Sequence, residues 1–138
     1  VILFTESCSN PNGYVFDFSF VPSLRKSCRS LQLVVDNTWL TDLILNPFEF
    51  GADVVITSLT KYYGGGVAIG GAVIGSASFI ELVSESSRIM GQHVSPHNCR
   101  LIAEGMRSMQ VRVASSSALT LKVVSHLAKT TRVPITHP

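Results

Sequence analysis

Residues 53–62 read Asp-Val-Val-Ile-Thr-Ser-Leu-Thr-Lys-Tyr, an apolar, β-branched run that ends in hydroxyl side chains and a lysine. Two other runs share its character: residues 31–36, Leu-Gln-Leu-Val-Val-Asp, and residues 1–6, Val-Ile-Leu-Phe-Thr-Glu. All three are short, rich in Val, Ile and Leu, bounded by turn residues and not strictly alternating, as buried strands of a parallel sheet are. The segments between them complete the pattern. Residues 22–29, Pro-Ser-Leu-Arg-Lys-Ser-Cys-Arg, place a proline in a first helical turn and basic residues near the end, as a crossover helix does. Residues 46–51, Asn-Pro-Phe-Glu-Phe-Gly, supply an N-cap, an N1 proline and a terminating glycine for a second, shorter connection. Strand, helix and strand in alternation predict an α/β fold with a mostly parallel sheet.

Beyond Lys61, the cluster Gly64-Gly-Gly66 leads into residues 67–75, Val-Ala-Ile-Gly-Gly-Ala-Val-Ile-Gly, which predict one more strand, loosened by its central glycines. From about residue 76 to 129 the apolar positions recur at helical spacing, as in Phe79, Leu82 and Val83, then Leu101, Ile102, Met106, Met109 and Val113. Two or three helices are expected there, one of them starting at Ser95-Pro96.

Composition narrows the functional classes. The chain has 138 residues, 46% hydrophobic and only 14% charged, enough to bury a sizeable core. A net charge of +2, scattered without a basic run, argues against a nucleic-acid or acidic-membrane partner. Cys8, Cys28 and Cys99 are odd in number and lack CxxC spacing, so neither a disulfide framework nor a zinc knuckle is expected, and a reducing, cytoplasmic compartment is. His93 and His97 are separated by Pro96, which breaks a shared helical metal face; no metal site is expected. Gly64 to Gly66 does not form the GxGxxG spacing of a dinucleotide site. No apolar run approaches the roughly 20 residues that span a bilayer. The chain opens inside a strand at Val1 and stops without a closing helix at residues 133–138, which leads to the expectation of a central segment of a longer chain.

Two segments carry chemistry. Asp36 closes the run 31–36, at the strand end where open α/β sheets bind ligands, and Lys61 lies just past the end of the next run. In an extended segment Ser58 and Thr60 point the same way and Lys61 the other, so two hydroxyls could hold a phosphate while the amine meets the body of the same ligand. Pyridoxal phosphate needs this set: a lysine amine for a Schiff base with its aldehyde, and a carboxylate that keeps the pyridine nitrogen protonated. Each residue also has an ordinary reading. Most lysines are solvated, a strand-end Asp before Asn-Thr caps the next turn, Ser and Thr satisfy local backbone groups, and Asn before proline forms turns.

Taken together, the segments Glu6-Ser-Cys-Ser-Asn-Pro11, Val34-Val-Asp-Asn-Thr38, Gly51-Ala-Asp53, Ser58-Leu-Thr-Lys-Tyr62, Gly70-Gly-Ala-Val73, Ser95-Pro96 and Glu104-Gly-Met-Arg-Ser-Met109 resemble the cysteine and methionine metabolism enzymes. That family includes cystathionine synthases and lyases, methionine γ-lyase and homoserine-ester sulfhydrylases. The resemblance implies part of the large domain of an aspartate-aminotransferase-like (type I) fold, with residues 1–110 in that domain and 111–138 leading towards a C-terminal domain. It implies pyridoxal phosphate as cofactor and carbon-sulfur chemistry on cystathionine, methionine or a homoserine ester, in a homodimer or homotetramer. Residue by residue, Lys61 would be the Schiff-base lysine and proton shuttle, Asp36 the partner of the pyridine nitrogen, Ser58 and Thr60 phosphate ligands, and Asn10 a neighbour of the ring's phenolic oxygen. Two departures stand out: Cys8 where the family usually has proline, and Tyr63-Gly-Gly-Gly-Val67 where it has a polar loop of the type Asn-Gly-His-Ser-Asp.

The resemblance also implies groups outside residues 1–138: a glycine-containing phosphate loop, a ring-stacking tyrosine, an arginine for the substrate carboxylate, and residues of neighbouring subunits. Two other readings stay open. One is a truncated or degenerate relative with at most an assembly role, and the other is an unrelated phosphate-binding α/β module.

Overall fold

The structure, a computed structural model that describes residues 1–137, joins the three β-branched runs into one sheet. β1 (Ile2–Glu6), β2 (Gln32–Asp36) and β3 (Val54–Ser58) lie side by side and parallel, because each connection is long enough to carry the chain back across the sheet. Alternation along the strands decides which face is covered. Leu33, Val35 and Val55 bury themselves on one face against Val21, Phe18 and Ala52, and Leu3 packs at their margin. Ile2 and Phe4 point to the other face and stay 67% and 57% exposed, so β1 is half-buried and not buried on both sides as its composition predicts.

The first crossover contains α1 (Val21–Ser27), with Pro22 in its first turn and Arg25 and Lys26 in its last. Arg25 then links the layers: its Nη2 donates to the Gly51 carbonyl at 2.6 Å and to Asp53 Oδ2 at 2.7 Å, while Nη1 donates to the Leu31 carbonyl at 3.0 Å. The second connection holds a short helix absent from the sequence reading, α2 (Thr41–Ile44), followed by a 3-10 turn at Pro47–Phe50. That turn follows its composition. Asn46 caps it by accepting from the Phe48 amide, and Gly51 ends it at φ 87°, a left-handed position that suits glycine.

The glycine-rich stretch differs from expectation. A strand forms only at β4 (Gly71–Ile74), antiparallel to β3, and not across residues 67–75. Gly65 and Gly66, at φ 70° and 84°, turn the chain back on itself, and Gly70 is held by Thr60 before pairing begins. The helical spacing after residue 76 resolves into α3 (Ala77–Met90), α4 (Pro96–Met106) and α5 (Met109–Thr130). Ser76 and Ser95 cap the first two through their side chains, and Pro96 opens α4. α5 runs through residue 111, where the helical path towards a C-terminal domain is expected to begin. Among the described residues no helix is long and apolar enough to cross a membrane.

Candidate functional site

Parallel strands place their C-terminal ends along one edge, and β2 and β3 end there side by side. Asp36 is the last residue of β2 and Ser58 the last of β3. The two ends are stitched together: the Ser58 amide donates to Thr38 Oγ1 at 2.8 Å, and the Thr38 amide donates to Asp36 Oδ1 at 2.9 Å. Behind them Asn37 is 2% exposed. It accepts from the Ser7 hydroxyl at 2.7 Å and donates through Nδ2 to the Leu45 carbonyl at 2.8 Å. Buried polar groups paired in this way fix the strand end that presents Asp36.

Lys61 sits in a wide turn, Leu59–Tyr63, that begins as soon as β3 stops. The alternation expected through Ser58, Thr60 and Lys61 therefore fails, since only Ser58 belongs to the strand. Lys61 itself leaves the helical region, at φ −82° and ψ −112°. The turn closes through amides of Gly64, Gly65 and Gly66, which donate to the carbonyls of Leu59, Lys61 and Thr60 at 2.7, 2.8 and 2.8 Å.

Asn10, Asp36, Ser58 and Lys61 line one cavity of about 750 Å³, a size within the range of small-molecule sites. Thr60 is not among them. Its hydroxyl donates to the Gly70 carbonyl at 3.2 Å and accepts from the Gly70 amide at 3.0 Å, which holds the turn. The cavity wall also includes Glu6, Cys8, Thr38, Trp39, Tyr62, Gly65 and Arg112. Glu6, Cys8, Thr38 and Tyr62 stand within the segments quoted above, so their neighbourhood was visible though their position was not. Arg112 had no signal at all: it comes from α5, 50 residues beyond Tyr62, and its Nη2 donates to the Tyr62 carbonyl at 2.6 Å.

Electrostatics separate the groups. The cavity brings the Lys61 amine and the Asp36 carboxyl group to one space, with the Ser58 hydroxyl on the same wall. Burial, and then the negative charge of Glu6, push the Cys8 thiol above its ordinary value, which disfavours the thiolate. Tyr63, outside the cavity, is pushed up to about 12 by burial and by its hydrogen bond to Asp42. A primary amine, a carboxylate on the adjacent strand end and a hydroxyl around this volume fit pyridoxal phosphate: an amine for its aldehyde, an anion for its ring nitrogen, a donor for its phosphate.

The chain is 33% identical over 131 residues to L-methionine gamma-lyase of Porphyromonas gingivalis, a match covering 93% of this chain and 33% of that protein. It is 33% identical over 129 residues to O-succinylhomoserine sulfhydrylase of Pseudomonas aeruginosa, covering 93% and 32%. Among crystal structures, cystathionine gamma synthase from Xanthomonas oryzae pv. oryzae in complex with cystathionine superposes with a TM-score of 0.74 at 32% identity, over 80% of this chain and 29% of that one. The chain thus spans about a third of the length of the curated relatives it matches. The family description "Cys/Met metabolism PLP-dependent enzyme" matches residues 1–138 from end to end. The strand-end cavity, its lysine and that match together place the chain in the pyridoxal-phosphate-dependent enzymes of cysteine and methionine metabolism.

Proposed function

We propose that the complete gene product is a pyridoxal-phosphate-dependent carbon-sulfur lyase or transferase acting on cystathionine, methionine or a homoserine ester, and that residues 1–138 carry the lysine side of its cofactor site. The observation that carries this reading is the single cavity shared by Asp36, Ser58 and Lys61 at the ends of two adjacent strands. When bound, the cofactor's protonated pyridine ring accepts the electrons released at the substrate's α-carbon. Everything else falls to the chain. Lys61 Nζ would hold the cofactor through its aldehyde carbon and, once displaced by the substrate amine, take the proton from the substrate's α-carbon and return it later.

Asp36, anchored by the Thr38 amide, would turn its other carboxylate oxygen to the ring nitrogen in a charge-assisted hydrogen bond that keeps the proton there. The Ser58 hydroxyl would donate to the phosphate, and Asn10 would stand by the ring's phenolic oxygen. Thr60 would be a second phosphate ligand, and its hydrogen bonds with Gly70 hold the start of the lysine turn.

The reading extends to the assembly. Residues 1–110 would belong to the cofactor-binding large domain and 111–138 to the start of the path towards a C-terminal domain. A homodimer or homotetramer would complete the site, because a grip for the substrate carboxylate and the rest of the phosphate cradle are needed to hold a reactive geometry. The cytoplasm is the compartment that suits three free cysteines.

The test is chemical. The complete gene product loaded with pyridoxal phosphate and reduced with borohydride should carry the cofactor on Lys61 by peptide mapping, and Lys61→Ala should remove that label. A label on a different lysine would falsify the assignment.

A further inference from the structure

We propose that Arg112 is a positioning residue for Lys61, a guanidinium clamp that holds the lysine turn in the orientation the cofactor requires. The proposal rests on the site reading above and adds to it a residue from outside every segment that pointed to the cofactor.

The Lys61 side chain is exposed, so its direction depends on the backbone beneath it. Upstream, that backbone is held by Thr60, whose amide and hydroxyl both donate to the Gly70 carbonyl. Downstream, Arg112 does the holding. Its Nη2 donates to the carbonyl of Tyr62 at 2.6 Å and of Tyr63 at 3.3 Å, the two residues that follow the lysine. The same nitrogen donates to the Gly105 carbonyl at 3.1 Å, and Nε donates to Ser108 Oγ at 3.0 Å. One planar group therefore pins the turn to the junction of α4 and α5.

One glycine makes the approach possible. A Cβ on Gly105 would lie 2.8 Å from the carbonyl carbon of Gly64, so α4 can touch the turn only without a side chain there. Gly65 lies beside the guanidinium, where a Cβ would make ordinary contact 3.5 Å from Arg112 Cζ, and it is the φ of 70° that favours glycine there. Arg112 also lines the cavity that holds Lys61. A guanidinium suits this work, since its donors are fixed in one plane, while a lysine ammonium is a compact point charge on a flexible stem.

A residue that merely capped α4 would need Gly105 and Ser108 alone. Contacts to Tyr62 and Tyr63 tie it to the lysine. The test compares Arg112→Met and Arg112→Lys in the complete gene product, with Arg100→Met as control, because among the described residues Arg100 pairs only with Glu104, on the surface of α4. Readouts are the position of the borohydride-reduced label, the visible circular dichroism per bound cofactor, and the rate of cofactor release into excess scavenger.

Arg112→Met should still label at Lys61 yet show a weakened visible signal and release about tenfold faster, the scale of one charge-assisted hydrogen bond. Arg112→Lys should fall between it and the unaltered protein, and Arg100→Met should match the unaltered protein. Unchanged signal and release in Arg112→Met overturn the proposal. If that variant fails to fold, Arg112→Lys and Ser108→Ala decide: a weakened visible signal in them supports the clamp, and an unaltered one overturns it. Label on another lysine in the unaltered protein would instead defeat the underlying site reading, so the two failures are distinct.

Discussion

Tyr63 donates its phenolic hydrogen to Asp42 Oδ1 at 2.6 Å, which ties the turn carrying Lys61 to α2, the short helix that follows Asp36. The lysine turn is thus held from two sides, by Arg112 through its carbonyls and by Asp42 through the Tyr63 ring.

This bond has a pH signature. Burial first, and then Asp42, raise the Tyr63 phenol from 10.0 to about 12. A phenol raised on folding keeps its proton more tightly in the folded state, so its contribution is complete below the unfolded value and is lost as pH rises through the folded one. Unfolding midpoints of the complete gene product should therefore fall between pH 10 and about 12, and fall less steeply in Tyr63→Phe. Parallel profiles for the two proteins would exclude the bond as a contributor.

Gly105→Ala should reverse the usual helix rule. Alanine in a helix interior ordinarily stabilises by about 1 kcal/mol over glycine. Here the added methyl would meet the Gly64 backbone, with its Cα 3.0 Å away. Backbone has to shift, and a loss of about 1–3 kcal/mol follows, as in other overpacked sites. Denaturant unfolding reads it directly; a gain in stability would show that α4 and the turn are not in contact.

Thr57→Val should stabilise. Thr57 is 6% exposed in β3, and its Oγ1 is buried without a hydrogen-bond partner among the described residues. A buried hydroxyl left unpaired costs about 1–3 kcal/mol, and valine keeps nearly the same shape without that cost. Urea titration should show a gain of about 1 kcal/mol; a clear loss would mean the hydroxyl has a partner in solution.

Asp36→Asn separates chemistry from folding. The amide oxygen of asparagine can still accept from the Thr38 amide, so the turn should survive and stability should change by less than about 0.5 kcal/mol. Charge is lost, and on the proposed reading so is the partner of a protonated ring nitrogen. Turnover should fall by about a hundredfold or more. Near-normal turnover with intact folding would remove the carboxylate from the mechanism.

Much of this was legible from short segments because each carries its own physical instruction. Val, Ile and Leu runs specify β2 and β3, Asn46-Pro47 and Gly51 specify the 3-10 turn, and Ser95-Pro96 specifies the start of α4. What escaped depends on contacts distant in sequence. α2 starts at Thr41 with φ 57°, a left-handed position no β-branched residue advertises, sustained where the side chain is 1% exposed. Thr60 looked equivalent to Ser58 while the strand was assumed to continue, and the turn at Leu59 separates them. Arg112 was invisible because nothing local to α5 says what its guanidinium will meet.

The span of that last contact has a consequence for how the protein is made. Asn10, Asp36, Ser58 and Lys61 all lie within the first 61 residues, whereas the Arg112 bond to Tyr62 closes over 50 more. At about 5–20 residues per second, a ribosome needs roughly 3–10 seconds to add that stretch, while short loops close in well under a millisecond. In every growing chain the lysine is therefore present for seconds before the residue that clamps it has been made.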